Sequence, residues 1–329
     1  MKRVAIVALV AGLTWASSLA EEQPTALLQI RVKPGETYRY LWSLDSASTS
    51  TGMEKEKPLK LLVEKSTRVN VVLTGEEPPK GEDMLSCLLR FENLGLQENR
   101  RIGDASTSTL QVDRQNIVYT ENNRVLVDSR NDIGMDKITA HQKALRFLEK
   151  NMARIVFDNA SRQTRVEGDR VLLDTAHGGN SRGLFPQISG RAAKVGESWT
   201  GSFEIPALAE VELERPVTVR TRATFAKWHP HEGRNLAMID VLSSWDGSDL
   251  KGRDAEGLSV SLTGVEGHGA GVYLFDPENG RFVTGHMAFQ LRYRLEGERE
   301  GEKTALDVNG QSRFNFKLLS AGREAPEKK

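Results

Sequence analysis

Apolar and polar residues alternate one for one through long stretches of this chain. Met287, Phe289, Leu291, Tyr293 and Leu295 alternate with Ala288, Gln290, Arg292 and Arg294. Val217, Val219, Thr221, Ala223 and Phe225 alternate with Thr218, Arg220, Arg222 and Thr224, and Phe314, Phe316 and Leu318 with Arg313, Asn315 and Lys317. Successive side chains on a strand point to opposite faces, so these runs predict antiparallel strands with one apolar face and one face in water. They are longer than the common strand of about 5–6 residues. Thr67, Val69, Val71 and Leu73, then Leu85, Cys87, Leu89 and Phe91, repeat the pattern in the first half. Shorter strands are expected at Tyr38–Leu44, Thr109–Asp113, Asn116–Thr120 and Arg124–Asp128, and a hairpin at Ala153–Asp158 and Gln163–Glu167.

Turn residues punctuate the runs. Pro78-Pro79-Lys80-Gly81 breaks a ladder, since Pro lacks the donor a ladder needs. Residues 276–280, D-P-E-N-G, join Val272–Phe275 to Phe282–Thr284, and Ser46 to Lys57 read as a Ser/Thr-rich tip. One segment has helical period: Ile138, His141, Leu145, Leu148 and Met152 fall at steps of three and four, flanked by Ala144 and Phe147. With Asp136 as N-cap, this predicts a helix over 136–150 laid on one sheet.

Two turns are alike. V-K-P-G-E-T-Y at 32–38 and A-K-V-G-E-S-W at 193–199 align Lys33, Gly35, Glu36 and Tyr38 with Lys194, Gly196, Glu197 and Trp199. Each reads as a glycine turn that launches a strand, with Tyr38 and Trp199 as core anchors and the Lys and Glu exposed. The chain therefore divides into two related lobes, 21–182 and 183–320, with a polar tail at 321–329 expected to be disordered.

Residues 1–20 form a leader. Lys2 and Arg3 precede an apolar run from Val4 to Leu13, and Ser18-Leu19-Ala20 is a small-x-small cleavage site. No Cys follows the run to carry a lipid anchor, so a soluble periplasmic or extracellular product beginning near Glu21 is expected. Lys and Arg number 45 against 45 Asp and Glu, which argues against an extended nucleic-acid footprint. Cys87 is the single cysteine, so no intramolecular disulfide forms; its phase with Leu89 and Phe91 predicts a buried apolar thiol.

Candidate chemistry is sparse. His229 and His231 in W-H-P-H-E sit one residue apart beside Glu232, but no third ligand follows at metal-site spacing. His141 lies on the helical stripe, and His177, His268 and His286 have no evident partner. Neither a G-x-S-x-G elbow nor an S-x-x-K is present. G-H-G-A-G at 267–271 precedes a strand rather than a helix, so it is read as strand entry and not as a phosphate loop. No metal, cofactor or catalytic residue is assigned.

Val32–Tyr40, Leu184 through Trp199, and Gly269–Val283 with its F-D-P-E-N-G-R-F-V carry a resemblance, with Val127-Asp128-Ser129 as a weaker fourth stretch. They resemble a family of bacterial exported proteins and lipoproteins of unknown function, marked by an early K-x-G-E-x-Y and a central V-K-V-G-[DE]-S-W. The resemblance implies an exported, β-rich protein and carries over no activity. The expected fold is α+β and β-dominated: two lobes of long antiparallel strands with one helix on a sheet. The expected function is a non-catalytic envelope protein binding an envelope partner or an apolar small molecule. A purely structural exported domain and a secreted hydrolase are the alternatives.

Overall fold

The computed structural model describes residues 24–54, 57–78, 83–103, 106–138, 152–168, 185–208, 211–247, 249–254, 257–299 and 302–323. In chain order the strands are β1 (Thr25–Leu27), β2 (Glu36–Glu54), β3 (Lys57–Glu76), β4 (Leu85–Ile102), β5 (Ser106–Asp113), β6 (Asn116–Glu121), β7 (Arg124–Asp128), β8 (Met152–Phe157) and β9 (Gln163–Gly168). They continue with β10 (Ala192–Lys194), β11 (Ser198–Leu208), β12 (Val211–His231), β13 (Arg234–Gly247), β14 (Leu250–Arg253), β15 (Ser259–Asp276), β16 (Arg281–Arg299) and β17 (Glu302–Arg323).

Two up-and-down meanders lie side by side in one 15-stranded antiparallel sheet. The first runs β2 to β7 and the second runs β11, β12, β13, β15, β16, β17. They join where β17 pairs with β2, from Glu36 opposite Arg323 to Met53 opposite Ala305. β14 continues the path of β13 between β12 and β15. β4 changes partner along its length: Leu85–Arg90 pair with β8 and Gly95–Ile102 with β5. Asn93, at positive φ, marks the change.

The paired turns have the same geometry. In each, the glutamate N–H donates to the lysine carbonyl three residues back, Glu36 to Lys33 and Glu197 to Lys194, both at 3.0 Å. Gly35 and Gly196 take φ of 77° and 86°, the third position of a type II turn. Pro34 supplies the fixed φ of the second position in the first copy.

The apolar side of the sheet turns inward and the charged side outward. Val217, Val219, Ala223 and Phe225 are buried while Arg220 and Arg222 between them are exposed; Arg292 and Arg294 are likewise exposed around buried Tyr293. A lipid-facing barrel has the reverse polarity, apolar outside and polar within. No helix of the described residues is long and apolar enough to cross a membrane.

A second layer covers part of the inward face. β1 pairs with β10 as a short ribbon. Leu28 N–H donates to Arg191 O, Ile30 N–H to Asn159 O and Arg31 N–H to Gly280 O, so the ribbon's first chain segment is tied to the strap, the β8–β9 turn and the second meander. A strap over 185–191 runs beside it, with Ile188 N–H donating to Ala160 O at 3.0 Å. Phe185 enters a ring cluster, stacked on Phe282 at 5.2 Å and tilted against Tyr40 at 5.1 Å. Trp42 and Phe316 close the cluster edge-on. The main core gathers residues of both meanders with the ribbon and strap, whereas a second core is built from β11 to β17 alone.

This architecture corrects the α+β expectation. The described residues are almost all strand, and their one helical element is a three-residue 3-10 turn, Met135–Lys137, that buries none of its side chains. Residues 139–151, which hold most of the expected helix, lie outside the described residues. Among the described residues, the second layer on the sheet is the ribbon and strap, which cover part of the inward face. The expected Ser46–Lys57 tip is also corrected: β2 and β3 run through it, with Ser46, Ser48 and Ser50 on the inward face opposite Lys65, Val63 and Leu61. The hairpin at Asn159–Ser161, the D-P-E-N-G turn and the long strands of the second half stand where the sequence predicts them. The tail expected to be disordered from 321 is corrected at its start, where Ala321, Gly322 and Arg323 belong to β17 and pair with Tyr38, Thr37 and Glu36. The leader and residues 324–329 lie outside the described residues.

Candidate functional site

Strand register aligns a row of small and polar residues across the inward face. Gly201 stands opposite Thr221, Thr221 opposite Ser243, and Ser243 opposite Gly269. The row continues through Phe289, Ser312 and Ser46 to the Lys65–Glu98 pair. The rows on either side carry larger apolar residues except where they cross β15, at Gly271 and Gly267. One holds Trp199, Ala223, Val241 and Met287, and belongs to the main core. The other holds Phe203, Val219, Trp245 and Leu291, and belongs to the second core. The small row is thus a belt between two apolar clusters. Phe289 packs against both.

Where the belt passes beneath the strap lies a cleft of about 890 Å³, and the Gln187 side chain takes the space that a Cβ at Gly201 would fill. Its floor is Gly201, Thr221 and Ser243; Trp199 stands to one side, Gln187, Ile188 and Ser189 above, and Ala160 and Arg162 at the β8–β9 turn. Arg220 and Arg222 line it too, but strand alternation sends their side chains to the outward face, where both are exposed.

Two hydrogen bonds hold the strap over the cleft. Trp199 Nε1 donates to Gln187 O at 2.9 Å, and Gln187 Nε2 donates to Ser202 O at 3.0 Å. β11 is an edge strand of the sheet, so the second bond also covers part of that edge. Arg162 is held by Asp158, with Nε donating to Oδ2 at 2.7 Å. Ser243 Oγ is buried without a partner. Ser243 and its belt neighbour Gly269 fit closely, for a Cβ at Gly269 would lie 2.6 Å from Ser243 Oγ.

The eight motif residues are placed at the strand entries and do not converge on the cleft as a group. Lys33 Nζ pairs with Glu36 Oε1 at 3.4 Å, and Tyr38 OH donates to Glu36 Oε2 at 2.8 Å. Burial, then that bond to a carboxylate, pushes the Tyr38 phenol up to about 12. In the second copy Glu197 accepts from Lys194 N–H and pairs with Arg191, which holds its carboxyl below the usual range. Tyr38 is buried as expected, while Trp199 is half-buried and reaches the cleft wall.

His229 and His231 share one face of β12, ring centroids 6.5 Å apart, and His231 Nε2 lies 3.8 Å from Glu232. The described residues contain no group of three His, Cys, Asp or Glu suited to a metal. His268 and His286 are exposed on the outward face, and His141 and His177 lie outside the described residues. Cys87 is fully buried, and burial raises its thiol to about 12. G-H-G-A-G lies within β15, with the Trp245 ring against Gly267. The cleft residues Gln187, Gly201, Thr221 and Ser243 were not singled out from sequence. Their signal is small or polar residues at inward positions of otherwise bulky runs, and it needs register to become a site.

No protein-family model matches the chain, and no curated protein matches it. Among solved structures, a lipovitellin described by its lipid–protein interactions is similar at a TM-score of 0.42, with 12% identity over 91% of this chain. The chain spans about a quarter of that protein, 26% of its length. An outer membrane channel from Pseudomonas putida F1 aligns at 0.21, with 7% identity over 88% of this chain and 97% of that one. The translocator domain of the autotransporter NalP from Neisseria meningitidis aligns at 0.20, with 6% identity over 85% and 88%. At TM-scores below 0.5 these likenesses assign neither a fold nor an activity.

Proposed function

We propose that this chain is a non-catalytic binding protein of the bacterial cell envelope that holds a small molecule with an apolar body in the cleft beneath the strap. The observation that carries the reading is the cleft itself: about 890 Å³ between the strap and a floor of Gly201, Thr221 and Ser243, with Trp199, Ile188 and Ala160 as its apolar lining. That volume is in the range of small-molecule sites, roughly 300–1,000 Å³.

The lining favours binding over chemistry. Its ionisable residues are Arg162, Arg220 and Arg222, with no carboxylate, imidazole, thiol or phenol among them. Guanidinium groups do not give up a proton in proteins, and general acid–base catalysis needs groups that titrate near the working pH. The leader-like start and the charged outward face favour an exported protein in water, not one buried in lipid.

The test is titration of the purified chain with an environment-sensitive apolar fluorophore, beside a Thr221→Phe variant whose melting temperature is checked. The expected result is saturable binding by the wild type that the folded variant loses. A folded wild type with no saturable binding, or a variant that binds equally well, overturns the reading and leaves a structural role.

A further inference from the structure

β11 ends the strand path on its side of the sheet, and two contacts fix which of its main-chain groups face the edge. Phe225 N–H donates to Glu197 O at 3.0 Å, whereas Ser202 O accepts from the Gln187 side chain. Main-chain groups alternate in direction along an antiparallel strand, and the register with β12 runs unbroken from Ser198 to Ile205. Trp199, Gly201 and Phe203 therefore bond to β12, while Thr200 and Ser202 turn their N–H and C=O groups to the edge. Both residues are exposed, and both line the cleft. Among the described residues, the Gln187 amide is the one partner these edge groups have.

Gln187 has the form of the partner the edge lacks. Its side-chain amide gives an N–H to Ser202 O at 3.0 Å, as the amide of an added strand would. Its Oε1 lies over Gly201, where a Cβ would stand. One amide thus sits where a ladder would begin. The β7 end of the sheet is finished differently. There Asp128 and Ile133 exchange main-chain hydrogen bonds, so the chain folds back along its own edge. Among the described residues, β11 has no such turn on its edge.

We infer that the cleft's ligand is an extended peptide that adds to β11 as a further strand and bonds Thr200 and Ser202 in place of Gln187. This rests on the reading of the cleft as a ligand site and names the ligand class, the apolar body being a side chain of the peptide. Alternation sends the side chain opposite Gly201 inward, beside Trp199 and beneath Ile188. Peptide amides supply both the donors and the acceptors that an open strand edge requires, and a plain acyl chain supplies neither.

The test is calorimetric titration with acetyl-Thr-Leu-Thr-Leu-Thr-Leu-amide and two N-methylated forms, one methylated at the threonine amides and one at the leucine amides. An added strand points one alternate set of amides at β11 and the other at water. Methylating the first set is expected to weaken binding about thirtyfold, two hydrogen bonds at roughly fivefold each, and methylating the second to leave it unchanged. The threonine set faces β11 in an antiparallel strand and the leucine set in a parallel one. Gln187→Ala, its melting temperature checked, should bind the parent peptide about fivefold tighter, because the competing amide is gone. The methylated probes test the wild type whatever that variant does. Equal effects from the two methylated sets, or a folded variant that binds no tighter, overturn strand addition. Failure of the peptide to bind while the apolar fluorophore still does overturns the peptide assignment and leaves the cleft a ligand site. Binding of neither overturns both.

Discussion

Gly35 and Gly196 occupy the same position in the two meanders. Each sits at the third position of its turn, and each donates its N–H to a main-chain carbonyl of the next strand, Gly75 O at 2.9 Å and Phe225 O at 2.7 Å. An alanine Cβ would meet no atom within 4 Å at either site, so a substitution there reports on backbone conformation alone.

Gly35→Ala and Gly196→Ala should therefore destabilise by similar amounts, about 1–2 kcal/mol each, the cost of holding a residue with a Cβ at positive φ. Urea denaturation of the two variants checks this. A loss at one site with none at the other would show that the turns are not equivalent.

Gly285→Ala should cost more, for a different reason. Its Cβ would lie 2.3 Å from Tyr273 Cδ1 and 2.8 Å from Phe316 Cε1, both in the ring cluster around Phe185. Overpacking of that kind costs about 1–3 kcal/mol. Gly310→Ala is the control, since its nearest neighbour would be 3.9 Å away, and it should be neutral within about 0.5 kcal/mol. Equal effects from the two would remove the ring contact as the cause.

Trp199→Phe keeps most of the ring and deletes the bond to Gln187 O. The expected loss is about 1 kcal/mol, with faster amide exchange in the strap and along β11. Trp199→Ala should cost about 3 kcal/mol, because the ring also packs on the main core. A loss below about 1 kcal/mol for the alanine variant would mean that the ring carries no packing.

Stability should fall at both ends of the pH scale. The Tyr38 phenol is raised from 10.0 to about 12, by burial first and by its bond to Glu36 second. Its neutral form is the one the fold prefers, so its contribution is complete below pH 10 and lost between 10 and about 12. Burial also raises Tyr40 and Tyr273, so Tyr38→Phe should remove part of the alkaline loss and not all of it. On the acid side, the Arg154 guanidinium bonded to Glu76 lowers that carboxyl from its ordinary 4.5. Its contribution is present above 4.5 and lost as the pH falls through the lowered value. Urea midpoints from pH 3 to pH 12 measure both limbs, and an alkaline limb unchanged in Tyr38→Phe would separate Tyr38 from it.

Much of the fold is legible in the order of residues because a strand writes its two faces into a period of two. Cys87 with Leu89 and Phe91, Val217 to Phe225, and the twin K-x-G-E turns all follow from local rules. Ser46 to Lys57 misleads, because serine-rich stretches favour turns unless a register places them in a sheet, and register is a long-range property. The helical stripe at 138–152 fails at its two described ends, since Ile138 is extended and Met152 opens β8. Its period is local, whereas among the described residues the second layer on the sheet comes from 24–31 and 185–194. The cleft is the least legible feature. Gly201, Thr221 and Ser243 lie far apart in the chain and become neighbours only through two separate strand pairings.

The β17–β2 seam bears on how this chain reaches its fold. Ser43 and Asn315 bond across it although 272 residues separate them. Each meander has short hairpin connections and is free to assemble early, but the seam waits for the last long strand to be made and brought back to the first. Contacts of such separation slow folding, and until this one forms β2 and β17 each present a strand edge of about 60 Å open to another chain. The interval before the seam closes is therefore the period of greatest exposure to aggregation, and a chaperone that shields β2 would act on that step.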